Sequence, residues 1–190
     1  MLAALQELAI RASRTWWLYL LLVLLFAGSL QALMQIGAAF PPHAGGAAPF
    51  DLQNTLTPGE VYPQVAGYSP RARELYLAFT LIDYAFPFLA GLFIMATVAF
   101  GLRHGLPGVY ATVVDRRLLP LPMIAALFDW LENVAAAAVI YLFPTEFAWL
   151  PPLLVLAKQC KLALAGLGNG IMGLALLAAL ARWLATLVRR

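Results

Sequence analysis

The chain has little of what most catalytic and metal centres are built from. Its 190 residues include one cysteine, Cys160, and two histidines, His43 and His104. A single cysteine excludes an intramolecular disulfide. The sequence contains no CxxC or HExxH motif and no glycine-rich phosphate-binding loop. These absences argue against thiol, zinc-hydrolase and nucleotide chemistry.

Charge is also scarce. Only 11% of the residues are charged and 63% are hydrophobic, with a mean hydropathy of +0.84, whereas a soluble domain carries roughly 25% charged residues. This composition excludes a disordered or collagen-like chain. The net charge is +3, but basic runs are absent and the arginines lie at the ends of apolar segments. We therefore expect a lipid bilayer, and no nucleic acid, as the partner.

Four apolar segments predict the fold, and they cover approximately residues 16–38, 75–102, 118–143 and 151–182. Each is long enough to cross about 30 Å of hydrocarbon at roughly 1.5 Å per residue. We predict an all-α integral membrane protein, a four-helix transmembrane bundle that forms one membrane domain over residues 1–190. The first segment is longer than a signal-peptide core, which favours a retained span over a cleaved one. Pro87 should kink the second helix.

The positions of the basic residues predict the orientation. Two of those near the span ends, Arg71 and Arg73, lie on one side, and eight lie on the other: Arg11, Arg14, Arg103, Arg116, Arg117, Arg182, Arg189 and Arg190. The positive-inside rule then gives a multi-pass protein of the cell membrane with both termini in the cytoplasm. Residues 39–74 form the outer loop. His43 and His104 fall on opposite sides, so they cannot share a zinc, haem or triad site.

The outer loop is predicted to be partly helical. Thr57-Pro58-Gly59-Glu60 places a capping threonine before a proline, with glutamate three residues after the cap. This is a capping box with proline at the first helical position. Ser69-Pro70 repeats the cap and the proline before the second span.

Several polar side chains lie within the predicted spans. Counted from the outer ends of the helices, the ionisable ones lie roughly 10 to 21 Å deep, so they can share one layer. Asp129, Glu132 and Asn133 are spaced to project from one face of the third helix. The complete predicted polar network is Gln31, Gln35, Asp83, Asp129, Glu132, Asn133, Lys158 and Lys161.

This network has two structural interpretations. Three carboxylates facing two lysines form an ion-pair network that fixes the register of the helices. Alternatively, Lys158 and Lys161 extend to the outer interface. Asp83, Asp129 and Glu132 would suit Mg²⁺ or Ca²⁺, but the lysines compete for the same carboxylates. We predict no metal and no cofactor.

Three functional hypotheses remain open. The first is a non-catalytic subunit that packs against copies of itself or against a larger membrane complex. Its support is a GxxxG motif formed by Gly166 and Gly170, together with Asn169, a candidate for an interhelical hydrogen bond. The second is a small proton-coupled transporter or relay that uses Asp129 and Glu132. The third is an intramembrane enzyme acting on a lipid or isoprenoid, with a carboxylate as acid or base.

Overall fold

The computed structural model describes residues 2–188, which are helical and contain no strand. The α-helices are α1 (Leu2–Arg14), α2 (Trp16–Ala39), α3 (Pro58–Ala66), α4 (Pro70–Asp83), α5 (Phe86–Gly105), α6 (Pro107–Asp115), α7 (Met123–Leu142) and α8 (Leu150–Val188). Two 3₁₀ turns, Pro41–His43 and Phe50–Leu52, lie between α2 and α3. Arg189 and Arg190, which contribute to the orientation count, lie outside the described residues.

The four apolar segments are confirmed as helices long and apolar enough to cross a membrane. They are Trp16–His43, Pro70–Gly105, Met123–Leu142 and Leu150–Val188. The third begins later than predicted, because Pro120 and Pro122 lie in turns that precede α7. Between α5 and these turns lies the short helix α6.

The second apolar segment is interrupted, where the sequence predicted only a kink. Helix α4 ends at Asp83 and α5 begins at Phe86, with Tyr84 and Ala85 in a turn. Pro87 explains the break, since it has no N–H to donate to the Asp83 carbonyl four residues earlier. The interruption therefore leaves backbone carbonyls that need other donors.

The loop between α2 and α4 is partly helical, as predicted. The N–H and hydroxyl of Thr57 both donate to the Glu60 carboxylate at 2.7 Å, forming the capping box of α3. These hydrogen bonds lower the pKa of Glu60. The Ser69 hydroxyl accepts from the Ala72 N–H at 3.2 Å and caps α4.

The chain divides into two compact units. One, here the acidic unit, contains residues 27–87 and 126–162. Its sequence has seven acidic residues against four basic ones. The other, the basic unit, is described over residues 2–26, 88–125 and 163–188, where six arginines face two acidic residues.

The core of the acidic unit is formed by the loop together with α4, α7 and α8. Phe40 and Phe50 are fully buried and make edge-on ring contacts with Tyr76, at centroid distances of 5.8 and 5.9 Å. Leu52 packs on Gly37 of α2, where an added Cβ would lie 2.5 Å from the leucine side chain. The loop is therefore part of the hydrophobic core and not a solvated connection.

The basic unit is held by close backbone contacts. A Cβ on Gly101 of α5 would lie 2.7 Å from the backbone of Ala175, and one on Gly105 would lie 2.5 Å from the backbone of Ala179. Only glycine allows α5 and α8 to approach so closely. In α1, the Gln6 side chain donates to the Val114 carbonyl at 2.9 Å and ties α1 to α6.

Candidate functional site

A buried cluster of charged side chains lies within the acidic unit. Helix α7 supplies Asp129 and Glu132, and α8 supplies Lys158 and Lys161. The i, i+3 spacing on each helix puts both members of a pair on one face. Glu132 is 1% exposed and Lys158 is 2% exposed. These two groups are therefore fully removed from solvent.

Glu132 connects the two lysines. Its Oε1 lies 2.9 Å from the Lys158 Nζ, and its Oε2 lies 2.7 Å from the Lys161 Nζ. Lys161 also contacts the Asp129 Oδ1 at 3.1 Å. Removing the Glu132 charge would deprive both ammonium groups of a partner, which makes Glu132 the centre of the cluster.

The loop contributes a carboxylate that sequence reasoning missed. Asp51, in the 3₁₀ turn Phe50–Leu52, forms an ion pair with Lys161, and the Phe50 carbonyl accepts a hydrogen bond from Lys158. Both lysines therefore bind the loop as well as α7. The one signal in the local sequence that could have identified Asp51 is its position between two apolar residues, Phe50 and Leu52, of which Phe50 is fully buried.

Side chains of α7 cover the break between α4 and α5. The Trp130 indole N–H donates to the Tyr84 carbonyl at 2.9 Å, and the Asn133 amide donates to the Asp83 carbonyl at 3.5 Å. These donors compensate for hydrogen bonds that the broken helix does not make. The Phe128–Asn133 segment of α7 thus serves both the ion pairs and the helix break.

Asp83, the last residue of α4, is 1% exposed. Within residues 2–188, its Oδ2 has no hydrogen-bond partner and the carboxylate forms no salt bridge. Four carboxylates and two lysines are thus buried or nearly buried in this unit. The cluster contains more acid than the lysines can neutralise.

Gln31 and Gln35 do not join the cluster, contrary to the predicted polar layer. Both are exposed, whereas Leu33 and Gly37 are buried. The two pairs differ by two positions, about 200° around an α-helix. Helix α2 therefore turns its apolar face inward and its glutamines outward. Lys158 and Lys161 do not extend their ammonium groups into solvent, because both side chains are buried in the ion-pair cluster.

Three carboxylates converge as they would around a cation. Asp51, Asp129 and Glu132 each place an oxygen within 4.8 Å of the other two, so that Asp51 takes the place predicted for Asp83. The Lys161 ammonium contacts all three. A hard divalent ion suits this donor set, but it would have to displace the ammonium. Lys161 already acts as the cation of this site.

Comparison with protein-family models, curated proteins and solved structures finds no match to this chain. The cluster itself is therefore the basis for the functional argument. It can hold a loop against two helices, and its surplus carboxylate can bind or release a proton.

Proposed function

We propose that the chain is a four-span integral membrane protein that works by packing against partner helices. Exposed apolar surface supports insertion. Only 6% of the most apolar 18-residue window in Leu150–Val188, and 11% of that in Trp16–His43, is buried. Surfaces this apolar are unfavourable in water and face lipid or another protein. In the proposed topology the protein lies in the cell membrane, and both termini face the cytoplasm.

One observation carries the packing proposal: an open small-residue face on α8. Gly166, Gly170 and Gly173 lie on one side of the helix, and an added Cβ on any of them would meet no atom of residues 2–188 within 4 Å. Asn169 shares this face, is exposed, and donates to the Ala165 carbonyl of its own helix at 2.9 Å. Glycine with one polar amide is a typical surface for close helix association in membranes.

The charged cluster supports this role because it holds the N-terminal part of α8, the helix that carries the small-residue face. Lys158 and Lys161 lie on the N-terminal part of α8 and bind both α7 and the loop. These ion pairs form only when α8 has one rotation and one register against α7, so they fix how the two helices pack. The proposed partner is a second copy of the chain or another subunit of a membrane complex.

The test of the packing role is the oligomeric state in bilayers. Single-molecule photobleaching would count copies of the full chain, and crosslinking in cells would detect other subunits. Gly170→Leu should lower the associated fraction by blocking close approach. Gly28→Leu is the matched control, because Gly28 is also helical and open. Equal association of the Gly170→Leu and Gly28→Leu proteins would contradict the proposal.

A second function, proton exchange, is favoured by the unpartnered Asp83 oxygen and the excess of acid. In this proposal Asp129 or Glu132 takes up and releases a proton while Lys161 neutralises the remaining charge. The same groups would serve as acid and base in an enzyme acting on a lipid or isoprenoid.

The neutral double variant Glu132→Gln, Lys161→Met tests both chemical functions. A stable double variant that fully restores growth of a deletion strain would contradict transport and catalysis at this site. A stable variant that folds and associates normally but fails to complement would favour them over packing alone.

A further inference from the structure

The basic unit contains a cavity of about 530 Å³ where α1 meets α2. Its volume falls within the range of ~300 to 1,000 Å³ that is common for small-molecule sites. Helices α5 and α8 close the cavity with Phe93, Phe100, Met172 and Leu176. Trp16, which is 78% exposed, lines it at the start of α2. The walls are therefore apolar and aromatic.

The polar part of the same cavity is cationic. Arg14 and Arg103 line it, and no acidic residue among residues 2–188 does so. Arg14 is exposed, while Arg103 is half-buried and donates to the Ser13 carbonyl at 3.1 Å. Neither arginine forms an ion pair within the described part of the chain. The cavity therefore presents two guanidinium groups with no internal counter-charge.

A second groove of about 480 Å³ adjoins the first and shares Phe100 and Leu176 with it. It is lined by apolar residues of α8 together with His104, Arg182 and Trp183. Phe100 and Leu176 thus form a wall common to the two grooves. Cationic side chains line both of them.

We propose that this pair of grooves binds one anionic phospholipid. Arg14 and Arg103 hold the phosphate, since guanidinium groups match phosphate oxygens in geometry and charge. The acyl chains lie along the two grooves, separated by Phe100 and Leu176. The inference rests on the proposed membrane insertion but not on helix pairing through α8.

The proposed topology places this site in the lipid leaflet where it would be filled. Arg14, Arg103 and Arg182 belong to the basic ends of the spans, which the positive-inside rule puts in the cytoplasm. The cytoplasmic leaflet carries the negative surface charge that attracts such residues. Trp16 and Trp183 match the depth of the headgroups, where tryptophan is enriched. Charge, aromatic residues and apolar grooves therefore favour the same ligand.

The direct test measures lipid binding to the purified full-length protein. Native mass spectrometry and thermal melting would compare phosphatidylglycerol, phosphatidylcholine and inorganic phosphate. We expect phosphatidylglycerol to bind best and to raise the melting temperature, with no effect from phosphate alone. Arg14→Gln should weaken phosphatidylglycerol binding about fivefold, while Arg116→Gln, a change of an exposed arginine outside the grooves, should not.

A second pair of variants tests the grooves independently of charge. Leu176→Trp places a larger side chain in the wall common to the two grooves, so it should narrow both grooves and reduce binding of phosphatidylglycerol. Leu177→Trp is its control, since this neighbour is 62% exposed and lines neither groove. Equal binding of the two lipids, equal losses in the Arg14 and Arg116 variants, or stabilisation by phosphate alone would each overturn the lipid site.

Alkaline extraction of membranes from cells that produce the full-length protein separates the lipid-binding inference from the proposed function. Protein that stays in the membrane but shows no preference for phosphatidylglycerol would overturn the lipid site alone. Protein released from the membrane would overturn membrane insertion, and with it both proposals.

Discussion

The two units of the chain treat their charges in opposite ways. Within residues 2–188, every ion pair lies in the acidic unit, and four of the five involve the buried Lys158 or Lys161. The arginines of the basic unit make no ion pair in that part of the chain, and Arg11, Arg14 and Arg182 are exposed. The acidic unit pairs its charged side chains internally, whereas the arginines of the basic unit are free to interact with groups outside this part of the chain.

The units also differ in what brings their helices together. In the acidic unit, ion pairs hold α7, α8 and the loop. In the basic unit, Gly101 and Gly105 let α5 and α8 approach until their backbones are in contact. Polar contacts and small-residue packing are both means by which helices associate in a bilayer. The acidic unit adds ion pairs to its aromatic core, and the basic unit has close backbone contacts at two glycines.

The largest expected effect comes from leaving the buried Lys158 without a carboxylate partner. Glu132→Gln removes a charge that contacts both Lys158 and Lys161, and should lower the free energy of unfolding by about 3 to 5 kcal/mol. Denaturation in mixed micelles would measure it. Glu74→Gln is the control, because its pair with Arg71 is 60% and 64% exposed and should contribute only ~0 to 1 kcal/mol. Similar losses in both proteins would erase the distinction between buried and exposed pairs.

Overpacking the basic unit should have the next largest effect. Gly101→Ala forces a methyl group against the Ala175 backbone and should cost about 1 to 3 kcal/mol of unfolding free energy. Gly28→Ala introduces the same residue into open space on α2, where alanine should stabilise by up to ~1 kcal/mol. Thermal melting of the two variants should therefore shift in opposite directions. A stabilised Gly101→Ala protein would show that the contact is not tight.

Removing a donor at the helix break should have a smaller effect. Trp130→Phe loses the hydrogen bond to the Tyr84 carbonyl, at a cost of about 1 kcal/mol. Trp149→Phe is the comparison, since Trp149 is 61% exposed. Amide hydrogen exchange across residues 80–90 should rise only in the Trp130 variant. Unchanged exchange there would mean that the carbonyl is satisfied in another way.

The smallest effect should come from the loop helix outside the charged cluster. The Thr57 hydrogen bonds lower the pKa of Glu60 below its usual value of 4.5. A lowered carboxyl pKa stabilises α3 above pH 4.5, and this contribution is lost as the pH falls through the folded-state pKa. Hydrogen exchange at residues 58–66 should accelerate in acid, and Thr57→Ala should remove much of that pH dependence. An unchanged acid response in Thr57→Ala would contradict the role of the capping box.

Hydropathy predicted the four long helices because apolar run length is a local property of the chain. The spacing of Asp129 with Glu132, and of Lys158 with Lys161, likewise indicated which side chains share a helix face. The missing member, Asp51, could not be found this way. Its place depends on how the loop folds back, which is decided by the burial of Phe50 and not by any periodic pattern.

The errors on α2 and α4 have a similar origin. Periodicity placed Gln31 and Gln35 on a common face, but only tertiary packing decided that Leu33 and Gly37 would be the buried side. Pro87 predicted a disturbance in the second apolar segment. The structure has a full break there, and Trp130 and Asn133 donate to the carbonyls at the interruption.

A double-mutant cycle on Glu132 and Lys158 tests most directly whether the buried charges hold the acidic unit together. Glu132→Gln, Lys158→Met and the double variant would be compared by their free energies of unfolding in bilayer-like micelles. Lys161 keeps Asp51 and Asp129 as partners in every variant. We predict that the double variant loses at least about 1 kcal/mol less than the sum of the single losses, because neither group is then left buried and unpaired. Additive losses would contradict it.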